Sequence, residues 1–200
     1  MSIRHQGFSF IELVIVMVVI GLLTVTALPL FINIIYQAKQ AAIETISGHF
    51  ATAVISARSQ WEADGRPRNA DNNIVNYDGS VLKLTPSITT RSGGIGYPFG
   101  LLTSPTKDVE QLTVQDCVDL MAHLLQIPPP VTALITDVAT GKYVFFATVE
   151  SQSTDKLCRY YQLALANSNR SGAINVTAGH SFTYIPAQGR VEVNLHKKKD

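Results

Sequence analysis

The sequence predicts an α+β protein in which one long N-terminal α-helix packs on an antiparallel β-sheet, with one disulfide. Three observations predict it. Apolar residues run almost without interruption from Phe8 and then keep a helical spacing as far as Trp61. From Asn73 onward the apolar period shifts toward two. The chain holds 2 cysteines, Cys117 and Cys158, both in the second part.

The helix comes first. Leu13 to Ile20 is unbroken apolar sequence, and the only formal charges before Lys39 are Arg4 and Glu12. Phe8 to Ile35 is long enough to span a bilayer, since about 20 apolar residues suffice. Past Pro29 the pattern changes: Ile43, Ile46, Phe50, Ala53 or Val54, Ala57 and Trp61 recur at intervals of three and four, the stripe of an amphipathic helix. Phe50 and Trp61 read as core and His49 as surface. Gly65 and Pro67 supply a stop. One helix from Phe8 to Ala63 would measure roughly 80 Å, with Gly21 and Pro29 as its points of bending. Its first half needs lipid or other chains to cover it; its second half can lie on this chain's own domain.

The sheet follows. Ile74–Tyr77 and Ser80–Leu84 flank Asp78-Gly79, a hairpin signal. The glycine-rich stretch from Ser92 to Gly100 reads as an irregular loop, because Pro98 argues against the helix that a phosphate-cradling loop requires. Thr113-Val114-Gln115-Asp116 resembles a helix cap ahead of a short helix from Cys117 to Gln126, stopped by Pro128-Pro129-Pro130. Lys142–Glu150 and Lys156–Ala166 read as adjacent antiparallel strands. Ser181–Ile185 and Arg190–Leu195 make a hairpin around Pro186-Ala187-Gln188-Gly189.

Two cysteines in a chain with an export-like start predict a Cys117–Cys158 disulfide formed in an oxidising compartment. The alternative is two buried thiols. Closing that loop would stabilise the fold by roughly 4 kcal/mol on the chain-entropy view.

Composition and motifs narrow the function. A net charge of +1 gives no general pull toward nucleic acid. No GxSxG, HExxH or P-loop is present, so no enzyme chemistry and no cofactor are expected. The cysteine and histidine spacings fit no metal site. Asp64, Asp71 and Asp78 are seven apart, but Gly65, Pro67 and a turn keep them off one helix face. The acidic and Asn residues between them could in principle bind Ca²⁺, although the DxDxDG spacing of a Ca²⁺ loop is missing. The sequons at Asn169 and Asn175 read as loop sequence, and the tail His196-Lys197-Lys198-Lys199-Asp200 as a solvated end.

Three readings of the first residues compete. One is a plain transmembrane anchor. Another is a secretory signal cut after Ala27, delivering a secreted or anchored enzyme; it is strained, because apolar sequence continues through Leu30, Phe31 and Ile32. The third starts from Gly7-Phe8-Ser9-Phe10-Ile11-Glu12-Leu13-Val14, which resembles the processing site of type IV prepilins. The resemblance implies cleavage between Gly7 and Phe8 by a prepilin peptidase, N-methylation of Phe8, and assembly through Phe8 and Glu12. It also implies a helix-kinking proline, which falls on Pro29, and a pilin fold. Physics is compatible with it: a new amine at Phe8 lies one helical turn from the Glu12 carboxylate, a buried charge in lipid needs such a partner, and Arg4 keeps the leader cytoplasmic.

Further patches, among them Phe50-Ala51-Thr52-Ala53-Val54, Gly65-Arg66-Pro67, Val75-Asn76-Tyr77-Asp78-Gly79 and Gly96-Tyr97-Pro98, resemble minor pilins of mannose-sensitive haemagglutinin pili. The implied organisation is a leader over 1–7, a membrane and fibre-core helix over 8–35, an amphipathic helix over 36–64 and a β-rich globular domain over 65–200. The implied life history is single-pass insertion in a bacterial inner membrane, then assembly with other pilin subunits by inner-membrane machinery into an extracellular fibre for attachment. A type II secretion pseudopilin is the neighbouring alternative; the cysteine pair favours a pilin.

Overall fold

The computed structural model describes residues 9–86, 94–152, 155–163, 167–168 and 174–196. In chain order the regular elements are helix α1 (Phe10–Ala63), strands β1 (Arg68–Asn69), β2 (Asn72–Tyr77), β3 (Ser80–Leu84) and β4 (Pro98–Leu101), helix α2 (Val114–Leu124), strand β5 (Val131–Thr132), helix α3 (Ile135–Val138), and strands β6 (Phe145–Gln152), β7 (Asp155–Gln162), β8 (Asn167–Ser168), β9 (Ile174–Asn175), β10 (Ser181–Ile185) and β11 (Arg190–Asn194). The chain divides into two compact units, 1–41 and 42–200.

In the first unit α1 begins with Glu12 in its first turn. The main chain stays helical through Gly21 and Pro29. The Pro29 side chain, like Gly7 and Phe8, lies outside the described residues.

In the second unit the rest of α1 follows its apolar stripe. Ile43, Phe50, Ala53, Val54, Ala57 and Trp61 are all buried, while His49 is exposed. The Phe50 ring lies 5.7 Å from Tyr160, 5.7 Å from Phe182 and 5.3 Å from Tyr184, so one helical side chain is wedged among three strand aromatics. The helix ends where glycine permits it. Arg66 N–H donates to Trp61 O at 2.9 Å and Gly65 N–H to Glu62 O at 3.2 Å, the two-bond cap that satisfies the last carbonyls.

The β region forms two main sheets rather than one. The first has the order β1-β2-β3-β4 and the second β11-β10-β7-β6-β5; β8 and β9 pair by themselves. All pairings are antiparallel except β5 with β6, which is parallel. The expected hairpins are present. Tyr77 pairs with Ser80 around Asp78 (φ 48°) and Gly79 (φ 82°), two left-handed residues that suit a two-residue turn.

Four expectations need correction. The short helix expected over Cys117–Gln126 runs instead over Val114–Leu124, starting directly after its Thr113 cap. Pro98 does end the glycine-rich segment, but it opens β4 instead of lying in a loop; its fixed φ and missing N–H are compatible with the first position of a strand. Residues 87–93 lie outside the described ones. The strand expected from Lys142 starts only at Phe145, because Val144 and Phe145 N–H both turn to Pro130 O, at 2.8 and 3.1 Å. The strand expected to reach Ala166 ends at Gln162.

Both faces of the second sheet are used. Phe145, Ala147, Cys158, Tyr160, Phe182 and Tyr184 join the main core. Phe146 turns to a small separate cluster with Val138 and Val176.

Candidate functional site

Two places concentrate physical features beyond packing: the start of α1, and the junction of α2 with the sheets.

At the start of α1, Phe10–Ala27 is long and apolar enough to cross a membrane, and none of it is buried within the chain. Only two of its side chains after Glu12 carry a polar atom, and both are satisfied internally. Thr24 Oγ1 donates to Ile20 O at 2.7 Å and to Gly21 O at 3.0 Å, and Thr26 Oγ1 donates to Leu23 O at 2.9 Å. In hydrocarbon an unsatisfied hydroxyl would cost several kcal/mol, on the order of 2–7, and here the helix itself accepts the bonds. Glu12 is exposed in the first turn, where the helix N-terminus favours an anion. Gly7 and Phe8, the expected cleavage residues, lie outside the described residues.

The second place is built from α2 inward. Thr113 caps the helix: its Oγ1 accepts from Asp116 N–H, and Asp116 Oδ2 accepts from Thr113 N–H at 2.9 Å and from Thr113 Oγ1 at 2.6 Å. Asp116 goes further than a cap. It is 1% exposed and also accepts from Ser104 Oγ and Thr106 Oγ1, each at 2.5 Å. Lys83, 4% exposed on β3, donates Nζ–H to Ser104 O at 2.7 Å and to Thr106 O. The same short loop therefore presents hydroxyls to the acid and carbonyls to the base. Burial by itself would raise the Asp116 pKa, but the hydrogen bonds from Ser104, Thr106 and Thr113 outweigh it and hold the carboxyl below its usual range. Burial lowers the Lys83 pKa, and the charge of Asp116 opposes that shift. Gly100 on β4 makes room: a Cβ there would sit 2.8 Å from Asp116 Oδ1.

Next in sequence is Cys117, bonded to Cys158 of β7 with a Cα–Cα distance of 5.5 Å. Both cysteines are 0% exposed. Tyr160 OH donates to Cys117 O at 2.8 Å, a second tie between the same two elements. The disulfide thus joins the short helix to a strand, as expected.

The sequence reading identified the cap and the disulfide but missed Lys83, Ser104 and Thr106. The only signal was a lysine between two leucines in a strand that is covered on both sides. Of the surface acids, Asp64 Oδ1 accepts from Gln60 Nε2 at 2.8 Å, and Asp78 occupies the hairpin turn. Among the described residues no three His, Cys, Asp or Glu side chains converge as a metal site.

The comparisons with known proteins bear on the first place. Residues 3–28 match the family model of the prokaryotic N-terminal methylation motif. Over 59 residues the chain is 37% identical to the type IV narrow pilus major component PilA5 of Thermus thermophilus, covering 28% of this chain. It spans about half of that relative's length, 51%. No solved structure matches the chain significantly.

Proposed function

We propose that this chain is a type IV pilin, a structural subunit of a type IV pilus and not an enzyme; its methylation motif and its similarity to a pilus component support the reading. The observation that carries the reading is register. The methylation motif covers residues 3–28, the apolar span runs over Phe10–Ala27, and Glu12 stands in the first helical turn, four residues past Phe8, the proposed first residue of the mature chain.

In this reading prepilin peptidase cuts between Gly7 and Phe8 and the new amine of Phe8 is N-methylated. The subunit waits in the inner membrane with its leader end cytoplasmic. Assembly machinery then transfers it into a fibre of pilin subunits. Glu12 pairs with the Phe8 amine of a neighbouring subunit, which neutralises both charges in an apolar bundle. Pro29, lacking an N–H, supplies the bend of the helix. The patches shared with mannose-sensitive haemagglutinin minor pilins make a minor, attachment-related subunit of that type our finer reading. The disulfide supports a pilin over a pseudopilin.

The test is the mass of the mature N-terminus, taken from the same purified pili in which subunits are counted. An N-methylated Phe8 and a low copy number are expected. A mature chain beginning at Leu28 would replace this reading with a secreted protein. Gly7→Trp should leave unprocessed protein in the inner membrane; normal processing of that variant would overturn the cleavage assignment.

A further inference from the structure

β11 is the outer strand of the five-stranded sheet, with β10 on one side and no described strand on the other. Such an edge offers unpaired N–H and C=O groups on alternate residues and templates pairing with another strand. This edge carries its own complement. Arg190 and Glu192 lie on the same face, two residues apart. Their side chains are 52% and 42% exposed, with Arg190 Nε 3.0 Å from Glu192 Oε1. On the opposite face Val191 packs partly against the core, and Val193 is 39% exposed.

Antiparallel pairing of a strand with a second copy of itself places one residue on a two-fold axis. With Val191 on the axis, Arg190 of each copy falls opposite Glu192 of the other, and the two valines meet. With Glu192 on the axis, the two carboxylates face one another, and directly opposed like charges destabilise a pair. The charges therefore do more than make the edge polar: they favour the register centred on Val191 over those centred on Arg190 or Glu192.

We propose that β11 is a self-association surface, pairing antiparallel with β11 of a second copy of this chain about Val191, with Arg190 opposite Glu192 twice. The contact is isologous and closes at two copies. It stands on the sheet edge alone and does not depend on the fibre reading.

The test uses the full chain in detergent micelles. The chain's own cysteines are bonded to each other, so Val191→Cys introduces the sole free thiol. Opposed residues across an antiparallel ladder have Cα atoms about 4.5–5.5 Å apart, within disulfide reach. Oxidation with glutathione disulfide should give cross-linked dimer at Val191→Cys and several-fold less at Val193→Cys. Helix association inside the micelle would bring chains together without distinguishing the two positions. Adding Glu192→Arg to Val191→Cys should weaken cross-linking on the order of tenfold, since two favourable pairs become two repulsive ones. Adding Arg190→Glu as well restores complementarity and should restore the yield. Equal yields at the two cysteine positions, indifference to Glu192→Arg, or failure of the double reversal to rescue would each overturn the proposal.

Discussion

Asp116→Asn is the substitution with the largest expected effect on the folded unit. The carboxylate is 1% exposed, takes three hydroxyl donors and one N–H, and is the charge that offsets buried Lys83. An asparagine keeps the size but removes the charge and half of the acceptor capacity. Lys83 is then a buried cation with only carbonyls around it. The Thr113 cap itself survives, because its Oγ1 accepts from the Asp116 backbone N–H; only the reciprocal bond to the carboxylate is weakened. Leaving a buried donor without its acceptor costs about 1–3 kcal/mol, more where the lost partner is charged. Four donors share this carboxylate, so a total of roughly 3–5 kcal/mol is the expectation. Against a typical total of about 5–15 kcal/mol this is a large fraction. At roughly 2–4 °C per kcal/mol it lowers Tm by about 6–20 °C. Thermal melting of the full chain in detergent, followed by circular dichroism, reads it. Lys83→Met should cost about 2 kcal/mol, from the carbonyls left without a donor. The double variant should cost less than the two singles together, because each single strands the other charge. A wild-type melting point for Asp116→Asn, or strict additivity in the double, would refute the reasoning. The pH dependence has a defined sign. The folded Asp116 pKa lies below its ordinary 3.8, so its contribution is complete above that value and fades as pH falls further. Asp116→Asn should therefore flatten the acid limb of the stability curve.

Other outcomes follow from other parts of the chain. Replacing Cys117 and Cys158 together by alanine should lower stability by roughly 4 kcal/mol, read as a drop in the denaturation midpoint. Ala70 holds φ 50° between β1 and β2, a region costly for any residue with a Cβ, so Ala70→Gly should stabilise the unit by about 0.5–1 kcal/mol in the same assay. Glu12→Leu should be cleaved and methylated normally but enter fibres poorly, scored by its ratio in sheared pili against the cell membrane. Wild-type incorporation would sink the pairing of Glu12 with the Phe8 amine, and a block in cleavage would move the role of Glu12 to peptidase recognition.

What could be read from the sequence was whatever is encoded locally. The α1 stripe, its glycine stop, the Asp78-Gly79 turn and the Thr113 cap each depend on a few neighbouring residues, and each is where its pattern predicts. The disulfide was legible because two cysteines allow one intrachain pairing. Long-range decisions were not legible. Nothing near Val131 announces a parallel edge strand, since its partner Phe145 lies beyond α3. The division into two sheets depends on where strands find neighbours, which no local period records. Lys83 alternates with leucines like an outward polar residue, and only the loop from Ser104 to Thr106 folding over it turns that position inward. At the other end, Glu12 was legible as an anomaly because a charge inside an apolar run contradicts its surroundings.

In the fibre reading, the threonines of the apolar helix have a consequence for the proposed passage from bilayer to fibre. Thr24 and Thr26 keep their hydroxyl protons on carbonyls of their own helix. Leaving a bilayer for a packed bundle of helices therefore exchanges one apolar medium for another, with no hydroxyl bond to break at departure and none to find on arrival. After Glu12, the span from Leu13 to Ala27 travels as a chemically closed rod. In the fibre reading, reversibility follows: a subunit returned to lipid meets no polar toll along that stretch, so the direction of transfer is left to Glu12 and to the machinery that moves it.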